Sequence, residues 1–485
     1  MDITSLKPQV VWKYFHEITQ VPRPSKKEGK ILAYLLDFAK KHNLSYKQDE
    51  VGNLVISKPA TPGYEDRETV VLQSHVDMVC EKNAGTQHDF DNDPIRTVIE
   101  GEWMKADGTT LGADNGIGCA AELAILASND LEHGPIECLF TVDEETGMTG
   151  AMSLKPGFFN GKILINLDSE DEGELFIGCA GGMGVIAKFT PEYSPAPADL
   201  TYLQVKVFGL KGGHSGGDIH VGLGNANKLL TRYLYALETS LDWSLAEITG
   251  GNLHNAIPRE AQAIFGIKAI DRTKAEELLQ TLRAEIKEEL KRVDPKVDLT
   301  IEVVAAPKQI IDKKTQANLV RALYACPHGV LGMSHELENL VETSNNLASI
   351  KMVDGKIRVE TSQRSSTESL RNSTSQMVKS VFELAGAVAD IRDPYPGWKP
   401  NADSQILKVS ADAYRRLFNR EPAVKAIHAG LECGLILSVY PGLDMVSFGP
   451  TLRDVHSPDE RIEIKTVDLW WQHLLEVLRS IPKAK

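Results

Sequence analysis

Basic residues are scarcer in this sequence than acidic ones. Its 53 lysines and arginines are set against 67 aspartates and glutamates, which gives a formal net charge of -14 at pH 7. Nucleic acids and anionic membrane surfaces attract clustered lysine and arginine, and no such cluster is conspicuous here. The composition therefore predicts neither nucleic acid nor membrane as a partner.

Long apolar runs are also missing. No stretch approaches the roughly 18 apolar residues that a membrane-crossing helix requires. The first residues, MDITSLKPQVVWKYF, lack the basic region followed by an apolar core that marks a secretory signal. We therefore expect a cytoplasmic protein.

Paired cysteines are a third absence. The six cysteines show neither CxxC motifs nor paired spacing, so a disulfide framework is disfavoured. We expect buried, reduced thiols that fill space in the core. They are Cys80, Cys119, Cys138, Cys179, Cys326 and Cys433.

The chain is long enough for two domains, because 485 residues exceed the size at which one hydrophobic core stops growing. Helical and strand patterns alternate in its first part, which predicts an α/β fold with a mixed, mostly parallel sheet sandwiched by helices. Two Pro-rich stretches, YSPAPADL and DPYPGWKPNADS, enclose a middle region with its own helices and strands. We predict a catalytic domain, residues 1–188 and 395–485, interrupted by an inserted α/β domain, residues 189–394.

Residues that commonly bind metals follow several of the predicted strands. They are His75 after VVLQS, Glu145 after IECLFTV, Asp168 after ILINL and His456 in the loop after DMVSF. Ligands of open α/β sheets bind at the carboxyl ends of strands, so we expect these side chains to lie close together. Asp114 can join them from the glycine-containing loop LGADNG.

This set of side chains predicts metal. Carboxylates packed together would hold protons at neutral pH, whereas divalent cations neutralise them and lower their pKa values. Two imidazoles and three carboxylates are too many for one tetrahedral zinc, but they suit two ions if one carboxylate bridges. The mixed nitrogen and oxygen donors favour two Zn²⁺, with Mn²⁺ or Co²⁺ as substitutes. Asp77, two residues after His75, could orient its imidazole.

Two other interpretations compete with this one. Asp114 and Asn115 begin the predicted helix NGIGCAAELAILASND, and an aspartate at a helix start is usually a cap. The segment GHSGG, residues 213–217, matches the G-x-S-x-G elbow of serine hydrolases. That elbow needs a strand, a sharp turn and a helix, and the residues after Ser215 do not favour a helix, so metal catalysis is preferred over serine catalysis.

Motifs spread over the whole chain resemble a known superfamily. They are SHVDMV, TTLGADNGIG, TVDEETGM, NLDSEDEGE, KGGHSGG, NAIPRE, HAGLECG and GPTLRDVHSPDE. Together they resemble the dinuclear zinc aminopeptidase and carboxypeptidase-G2-like metallopeptidases, and in length and motif order the chain is similar to bacterial cytosolic dipeptidases among them. The resemblance implies a zinc-peptidase-like fold, an inserted domain that acts as lid and dimerisation domain, and a homodimer.

The resemblance also implies roles for the residues around the metals. The ligands would be His75 and Asp168 at one ion, Glu145 and His456 at the other, and Asp114 as the bridge. Glu144 matches the general base of the superfamily, and Asp77 matches a carboxylate that supports a ligand. A free carboxylate beside an acidified water can move a proton to the leaving amine, which agrees with this assignment.

Four further residues match positions that face the substrate. His214 matches a lid histidine, often supplied by the neighbouring subunit, that stabilises the tetrahedral oxyanion. Asn255 and Arg364 match substrate contacts, and Arg364 could pair with a peptide's C-terminal carboxylate and so restrict the enzyme to short substrates. Glu432 lies in a loop, HAGLECG, that matches the lining of the substrate pocket. From the residues alone, Arg364 could also be a solvated strand residue and Asn255 a turn residue.

The predicted function is a cytosolic dinuclear zinc dipeptidase. It would hydrolyse unblocked dipeptides, including carnosine-like Xaa-His dipeptides, by attack of a metal-bridging hydroxide with Glu144 as general base. A tripeptidase or an N-acyl amino acid hydrolase would share the metal set and differ in the pocket. A non-catalytic metal-binding protein is a further alternative, which Glu144 argues against because metal binding alone needs no free carboxylate.

Overall fold

The computed structural model describes residues 3–484, which form two compact units. The first contains the residues up to Gly178, Pro400–Ala426 and the residues from Leu431 onward, and the second contains Cys179–Lys399 and Ile427–Gly430. The sequence places the domain boundaries at 188/189 and 394/395. The second unit begins earlier because the strand Gly181–Phe189 pairs with two strands of that unit.

The strands are numbered in chain order. They are β1 Ser45–Gln48, β2 Leu54–Lys58, β3 Val70–His75, β4 Thr97–Glu100, β5 Trp103–Ala106, β6 Ile136–Thr141, β7 Ile163–Asn166, β8 Glu174–Cys179, β9 Gly181–Phe189, β10 Tyr193–Pro195, β11 Leu200–Phe208, β12 Trp243–Gly250, β13 Ala261–Lys268, β14 Asp298–Val303, β15 Gln309–Ile311, β16 Gly329–Met333, β17 Val341–Val353, β18 Lys356–Ser365, β19 Val388–Tyr395, β20 Ala423–Ile427, β21 Asp444–Ser447, β22 Leu452–Arg453 and β23 Arg461–Glu463.

The α-helices are numbered in the same way. They are α1 Gln9–Thr19, α2 Gly29–Lys41, α3 Ala113–Ala127, α4 Glu144–Gly147, α5 Thr149–Ser153, α6 Ala226–Ser240, α7 Arg272–Leu290, α8 Lys313–Ala325, α9 Glu368–Leu384, α10 Gln405–Phe418, α11 Glu432–Val439 and α12 Ile464–Ser480. Short 3-10 helices form at Ile3–Ser5, Ile219–Val221 and Ala269–Asp271.

The first unit is built on an eight-stranded sheet in the order β1-β2-β6-β3-β7-β21-β8-β20. The central pairs β6/β3, β3/β7 and β7/β21 are parallel, whereas β1/β2, β2/β6 and β21/β8 are antiparallel. Every residue of β3, β6 and β7 is buried, as their continuous apolar runs predict. Helix α3 packs on β3 and α10 packs on β21. The predicted α/β class with a mixed sheet between helices is confirmed.

The second unit is built on a nine-stranded antiparallel sheet. Its order is β14-β11-β13-β12-β17-β18-β9-β19, with β16 paired to β17. Helices α6, α7, α8 and α9 bury their apolar faces in one core with this sheet. A hairpin turn at Asp354-Gly355 joins β17 to β18, and both turn residues have positive φ, 51° and 71°.

Three expectations about other sequence features have clear outcomes. Within residues 3–484 no helix combines the length and the apolar character needed to cross a bilayer. Five cysteines are buried, and Cys80 is half-buried. The serine-hydrolase elbow does not form, since β11 ends at Phe208 and the next element after GHSGG is the short 3-10 helix Ile219–Val221.

Candidate metal and active site

The parallel strands of the first unit bring the predicted metal ligands to one edge of its sheet. His75 is the last residue of β3, Glu145 follows β6 in the short helix α4, and Asp168 lies just beyond β7. Because β3 pairs in parallel with both β6 and β7, their carboxyl ends meet. His456 arrives from the loop between β22 and β23.

Asp114 lies at the centre of this group. Its Oδ1 is 3.0 Å from His75 Nε2, and its Oδ2 is 3.0 Å from His456 Nε2. The two oxygens of one carboxylate therefore face two different imidazoles. This is the arrangement expected of a bridging ligand between two ions.

Asp168 and Glu145 contact different histidines of this group. Asp168 Oδ1 is 3.4 Å from His75 Nε2, and Glu145 Oε2 is 3.0 Å from His456 Nε2. Glu145 Oε1 is buried, and no hydrogen-bond partner for it exists among residues 3–484. Ligand atoms of His75, Asp114 and Glu145 all lie within 4.8 Å of one another.

The charges of this cluster fit divalent cations. Within the described chain no lysine or arginine forms an ion pair with Asp114, Glu145 or Asp168; their ion-pair partners are imidazoles. Burial alone would lower the pKa of His75, but the surrounding carboxylates, Asp168 first, hold it well above its ordinary value. Hydrogen bonds to Asp114 and Glu145 raise the pKa of His456 to about 11. The cluster thus attracts positive charge, which metal ions supply when they bind to deprotonated donors.

The competing interpretation of Asp114 as a helix cap is wrong. The N-cap residue of helix α3 is Gly112, so no side chain at this position caps the helix. Asp114 has extended backbone angles, φ -79° and ψ 110°, and its peptide bond to Asn115 is cis. Its carboxylate points to the imidazoles instead, so the metal interpretation of this residue is the one that the geometry supports.

Asp77 supports the two glutamates that follow β6. It is fully buried, and its Oδ1 and Oδ2 accept hydrogen bonds from the backbone N–H groups of Glu144 and Glu145, at 3.0 and 3.2 Å. Its Oδ1 is also 3.4 Å from Nδ1 of His75, and Ser25 Oγ donates to Oδ2 at 2.8 Å. Burial opposes its charge, yet these partners lower the pKa of Asp77 to about 2, so it stays ionised.

Asp143 and Glu144 differ sharply in what they contact. Asp143 adopts a left-handed conformation with φ 51°, and its carboxylate accepts hydrogen bonds from the hydroxyls of Thr146 and Thr149, so it shapes the turn. Burial, together with the negative charges of Asp168 and other neighbours, raises the pKa of Glu144 well above its ordinary value. The surroundings of the Glu144 carboxyl group therefore disfavour its charged form.

Three of the remaining predicted residues lie in the second unit. His214 Nε2 is 3.4 Å from Nη2 of Arg364, and Nη1 of Arg364 donates to the hydroxyl of Tyr395 at 2.9 Å. Asn255 joins this group through its backbone, because its carbonyl accepts the N–H of Ser215 at 2.8 Å. The structure thus brings His214, Asn255 and Arg364 together.

Glu432 occupies a different kind of place. Its side chain is only 1% exposed, and its Oε2 accepts hydrogen bonds from Gln73 Nε2 and Thr141 Oγ1, both at 2.7 Å. Contact with substrate stays a prediction for this residue. Its burial between β3 and β6 favours a supporting role in the first unit.

Sequence reasoning missed two charged residues next to the cluster. Glu460 accepts hydrogen bonds from four backbone N–H groups of the loop that carries Asp114. Arg23 donates to backbone carbonyls in two segments, the one after His75 and the one before Asp114. Glu460 lies four residues after His456 in the motif HSPDE, so its position in the sequence could have suggested a role near the site. The segment PRPS around Arg23 contains no comparable indication.

Comparison with known proteins gives one family. A family model described as peptidase family M20/M25/M40 matches residues 71–479. A cytosol non-specific dipeptidase of Escherichia coli (strain K12) is 44% identical over 481 residues, which cover 99% of each chain.

Solved structures agree with this result. The crystal structure of an aminoacylhistidine dipeptidase from Vibrio alginolyticus superposes with a TM-score of 0.93 at 46% identity, covering 100% of this chain and 99% of the other. A tripeptidase from Staphylococcus aureus superposes with a TM-score of 0.57 at 16% identity over 98% of this chain and 99% of its own, which shows a common fold and nothing finer.

Proposed function

We propose, from the premise that the chain belongs to peptidase family M20/M25/M40, that this peptidase is a metal-dependent dipeptidase of the cytoplasm. Its substrates would be unblocked dipeptides, Xaa-His dipeptides among them. Full-length similarity to a relative named as a non-specific dipeptidase and to a solved aminoacylhistidine dipeptidase supports this substrate class. The observation that carries the proposal is the carboxylate of Asp114, whose two oxygens each lie 3.0 Å from a different histidine.

We propose two Zn²⁺ as the cofactor, with Mn²⁺ or Co²⁺ as substitutes. His75 and Asp168 would hold one ion, Glu145 and His456 the other, and Asp114 both. When bound, such ions act as Lewis acids on the peptide carbonyl and supply an acidified water at neutral pH. Two histidines and three carboxylates meet, and in the described part of the chain no lysine or arginine pairs with these carboxylates, which fits this role.

Glu144 would act as the general base and then as the acid. Asp77 accepts the backbone N–H of Glu144, and this hydrogen bond fixes the backbone from which the Glu144 side chain extends. Within residues 3–484 no basic side chain forms an ion pair with Glu144, so its carboxyl group is available to take a proton from water and return it to the leaving amine. The adjacent Glu145 would serve as a ligand, which gives two neighbouring residues two different tasks.

The second unit would supply substrate recognition. Arg364, oriented by the hydroxyl of Tyr395, would pair with the C-terminal carboxylate of the substrate, and this pairing would favour short peptides. His214 would donate to the oxyanion that forms during attack, and Asn255 would hold the substrate backbone. We propose a homodimer in which His214 acts within its own subunit or across the interface.

The proposal is tested by comparing substrates before and after metal removal. The purified protein is assayed with Ala-His, a second free dipeptide, a tripeptide and an N-acetylated amino acid, then treated with a chelator and reloaded with zinc. We expect hydrolysis of both dipeptides, loss after chelation and recovery with zinc. Preference for the tripeptide or the N-acetylated substrate would favour those alternatives, and full activity of the metal-free protein would refute the mechanism.

A further inference from the structure

The loop that carries Asp114 is held by Glu460, a residue that the proposed reaction does not use. Oε2 of Glu460 accepts the N–H groups of Leu111 and Gly112 at 2.8 and 3.0 Å. Its Oε1 accepts those of Ala113 and Asp114 at 2.8 and 3.3 Å. A carboxylate offers about four acceptor positions, so this single side chain is saturated by four consecutive amides. It takes the place of a cap at the start of α3.

Arg23 holds the same loop from another side. Its Nη2 donates to the carbonyl of Gly112, and its Nη1 donates to the carbonyls of Val76 and Asp77 at 3.0 and 2.8 Å. No carboxylate contacts this guanidinium anywhere in residues 3–484. Because this buried arginine donates to backbone carbonyls, it holds the two loops that carry them in place.

The peptide at Gly112 lies between these two charges. Its N–H donates to Glu460, and its carbonyl accepts from Arg23. A Cβ atom at Gly112 would lie 2.5 Å from Nη2 of Arg23 and 2.8 Å from Sδ of Met78, and the φ of this residue is 69°. Only glycine therefore permits so close an approach.

Three chain segments are joined in this way. Arg23 contacts the two residues that follow His75. The side chains of Arg23 and Glu460 both contact the Asp114 loop. Glu460 itself lies four residues after His456 in one turn, where its N–H donates to the carbonyl of Ser457 at 3.0 Å. His75 and Asp114 are 39 positions apart in sequence, and Asp114 and His456 are 342 apart. These hydrogen bonds fix the positions of the three loops relative to one another.

We propose that Arg23 and Glu460 are positioning residues that act as one clamp, setting the places of His75, Asp114 and His456 for metal binding. The inference rests on the proposed metal-dependent function and deepens it. Neither side chain would touch metal or substrate. Each would act by holding ligands from separate chain segments in place, because interactions behind the ligands commonly control metal affinity.

The test measures metal binding without substrate. Co²⁺ is titrated into chelator-treated full-length protein and followed by visible absorption, which reports ligand geometry, and by calorimetry. The variants are Glu460→Gln, whose amide nitrogen cannot accept hydrogen bonds, and Arg23→Lys, which keeps the charge but not the forked donors. Asp459→Asn, an exposed neighbour in the same loop, is the matched control. Thermal unfolding of the metal-free variants checks the fold.

We expect each variant to lose about 10- to 100-fold in Co²⁺ affinity and to alter the absorption spectrum, whereas Asp459→Asn binds like wild type. The double variant should lose less than the product of the two single losses, since both residues act on one segment. If Glu460→Gln does not fold, Arg23→Lys decides the question.

Two results would overturn the inference. In the first, wild type binds Co²⁺ and the folded variants bind it with the same affinity and spectrum. In the second, the losses multiply fully in the double variant, so the two residues do not act as one clamp. Wild-type protein that binds no Co²⁺ would overturn the proposed function as well, which distinguishes the two failures.

Discussion

Asp77 accepts the backbone N–H of Glu144 at 3.0 Å, although the two residues lie 67 positions apart in sequence. The other oxygen of the same carboxylate accepts the N–H of Glu145 at 3.2 Å. One buried carboxylate thus positions the backbone of both glutamates, the proposed base Glu144 and the proposed ligand Glu145.

Asp77→Asn should lower kcat/KM by about 10- to 100-fold and reduce bound zinc, because the amide nitrogen would meet an N–H donor and lose one of these bonds. Steady-state kinetics and elemental analysis of the bound metal check this. Ser25→Ala is the control, since it removes only the 2.8 Å bond to Asp77 Oδ2. Equal effects of the two variants would contradict a special role for Asp77.

Glu144→Gln should keep its metal and lose activity by roughly 10²- to 10⁴-fold or more, because a neutral amide cannot take a proton. Glu145→Gln should instead lose metal, since Glu145 Oε2 lies 3.0 Å from His456 Nε2 in the ligand cluster. Metal content and single-turnover hydrolysis of Ala-His separate the two variants. Unchanged hydrolysis by Glu144→Gln would remove this residue as the base.

Arg364→Met should reduce kcat/KM for a free dipeptide by about 10- to 100-fold, the usual effect of losing a hydrogen bond to a charged group. The C-terminal amide of the same dipeptide should be little affected. Tyr395→Phe, which removes the 2.9 Å bond to Nη1, should give a smaller loss of the same kind. Arg358→Met in the same strand is the control, and equal losses on acid and amide would refute carboxylate recognition.

Acid should destabilise the fold through His473. Burial lowers the pKa of this imidazole to about 4, and its Nε2 lies 2.8 Å from the carbonyl of Ser410. As the pH falls, the unfolded chain therefore binds a proton at this histidine before the folded chain does. The contribution of His473 to the free energy of unfolding is fully present above about pH 6.5 and is lost as the pH drops toward 4, by about 3 kcal/mol at most. Urea unfolding at several pH values should show a weaker pH dependence for His473→Gln, and the exposed variant His335→Gln should match wild type.

The proximity of the candidate ligands could be predicted because parallel strands impose a simple geometry. His75 and Asp168 stand at the ends of adjacent parallel strands, so a ligand-type residue at each end implies proximity. The hairpin turn at Asp354-Gly355 likewise has a local origin, since aspartate and glycine tolerate the two consecutive positive φ values that the turn requires. Patterns of this kind depend on neighbours in sequence or in one sheet.

Asp114 shows why the competing cap interpretation did not hold. Its position at a helix start predicts a cap, yet Glu460 satisfies those amides from 346 positions away and leaves the Asp114 carboxylate for the imidazoles. The contact between Arg23 and Gly112 spans 89 positions. No periodicity or spacing records such pairs, so these partners had to come from the tertiary structure.

The place of β21 has a consequence for biosynthesis. This strand, Asp444–Ser447, pairs with β7 in the middle of the sheet of the first unit, yet it comes from the last part of the chain. A ribosome therefore releases the partners of β21 and the whole second unit before the sheet can close, and His456 emerges later still. A nascent or prematurely terminated chain carries an open edge at β7 and lacks one of the proposed metal donors. If His456 is a metal donor as proposed, hydrolytic activity would require a nearly complete chain, and the edge of β7 would stay open to other strands until then.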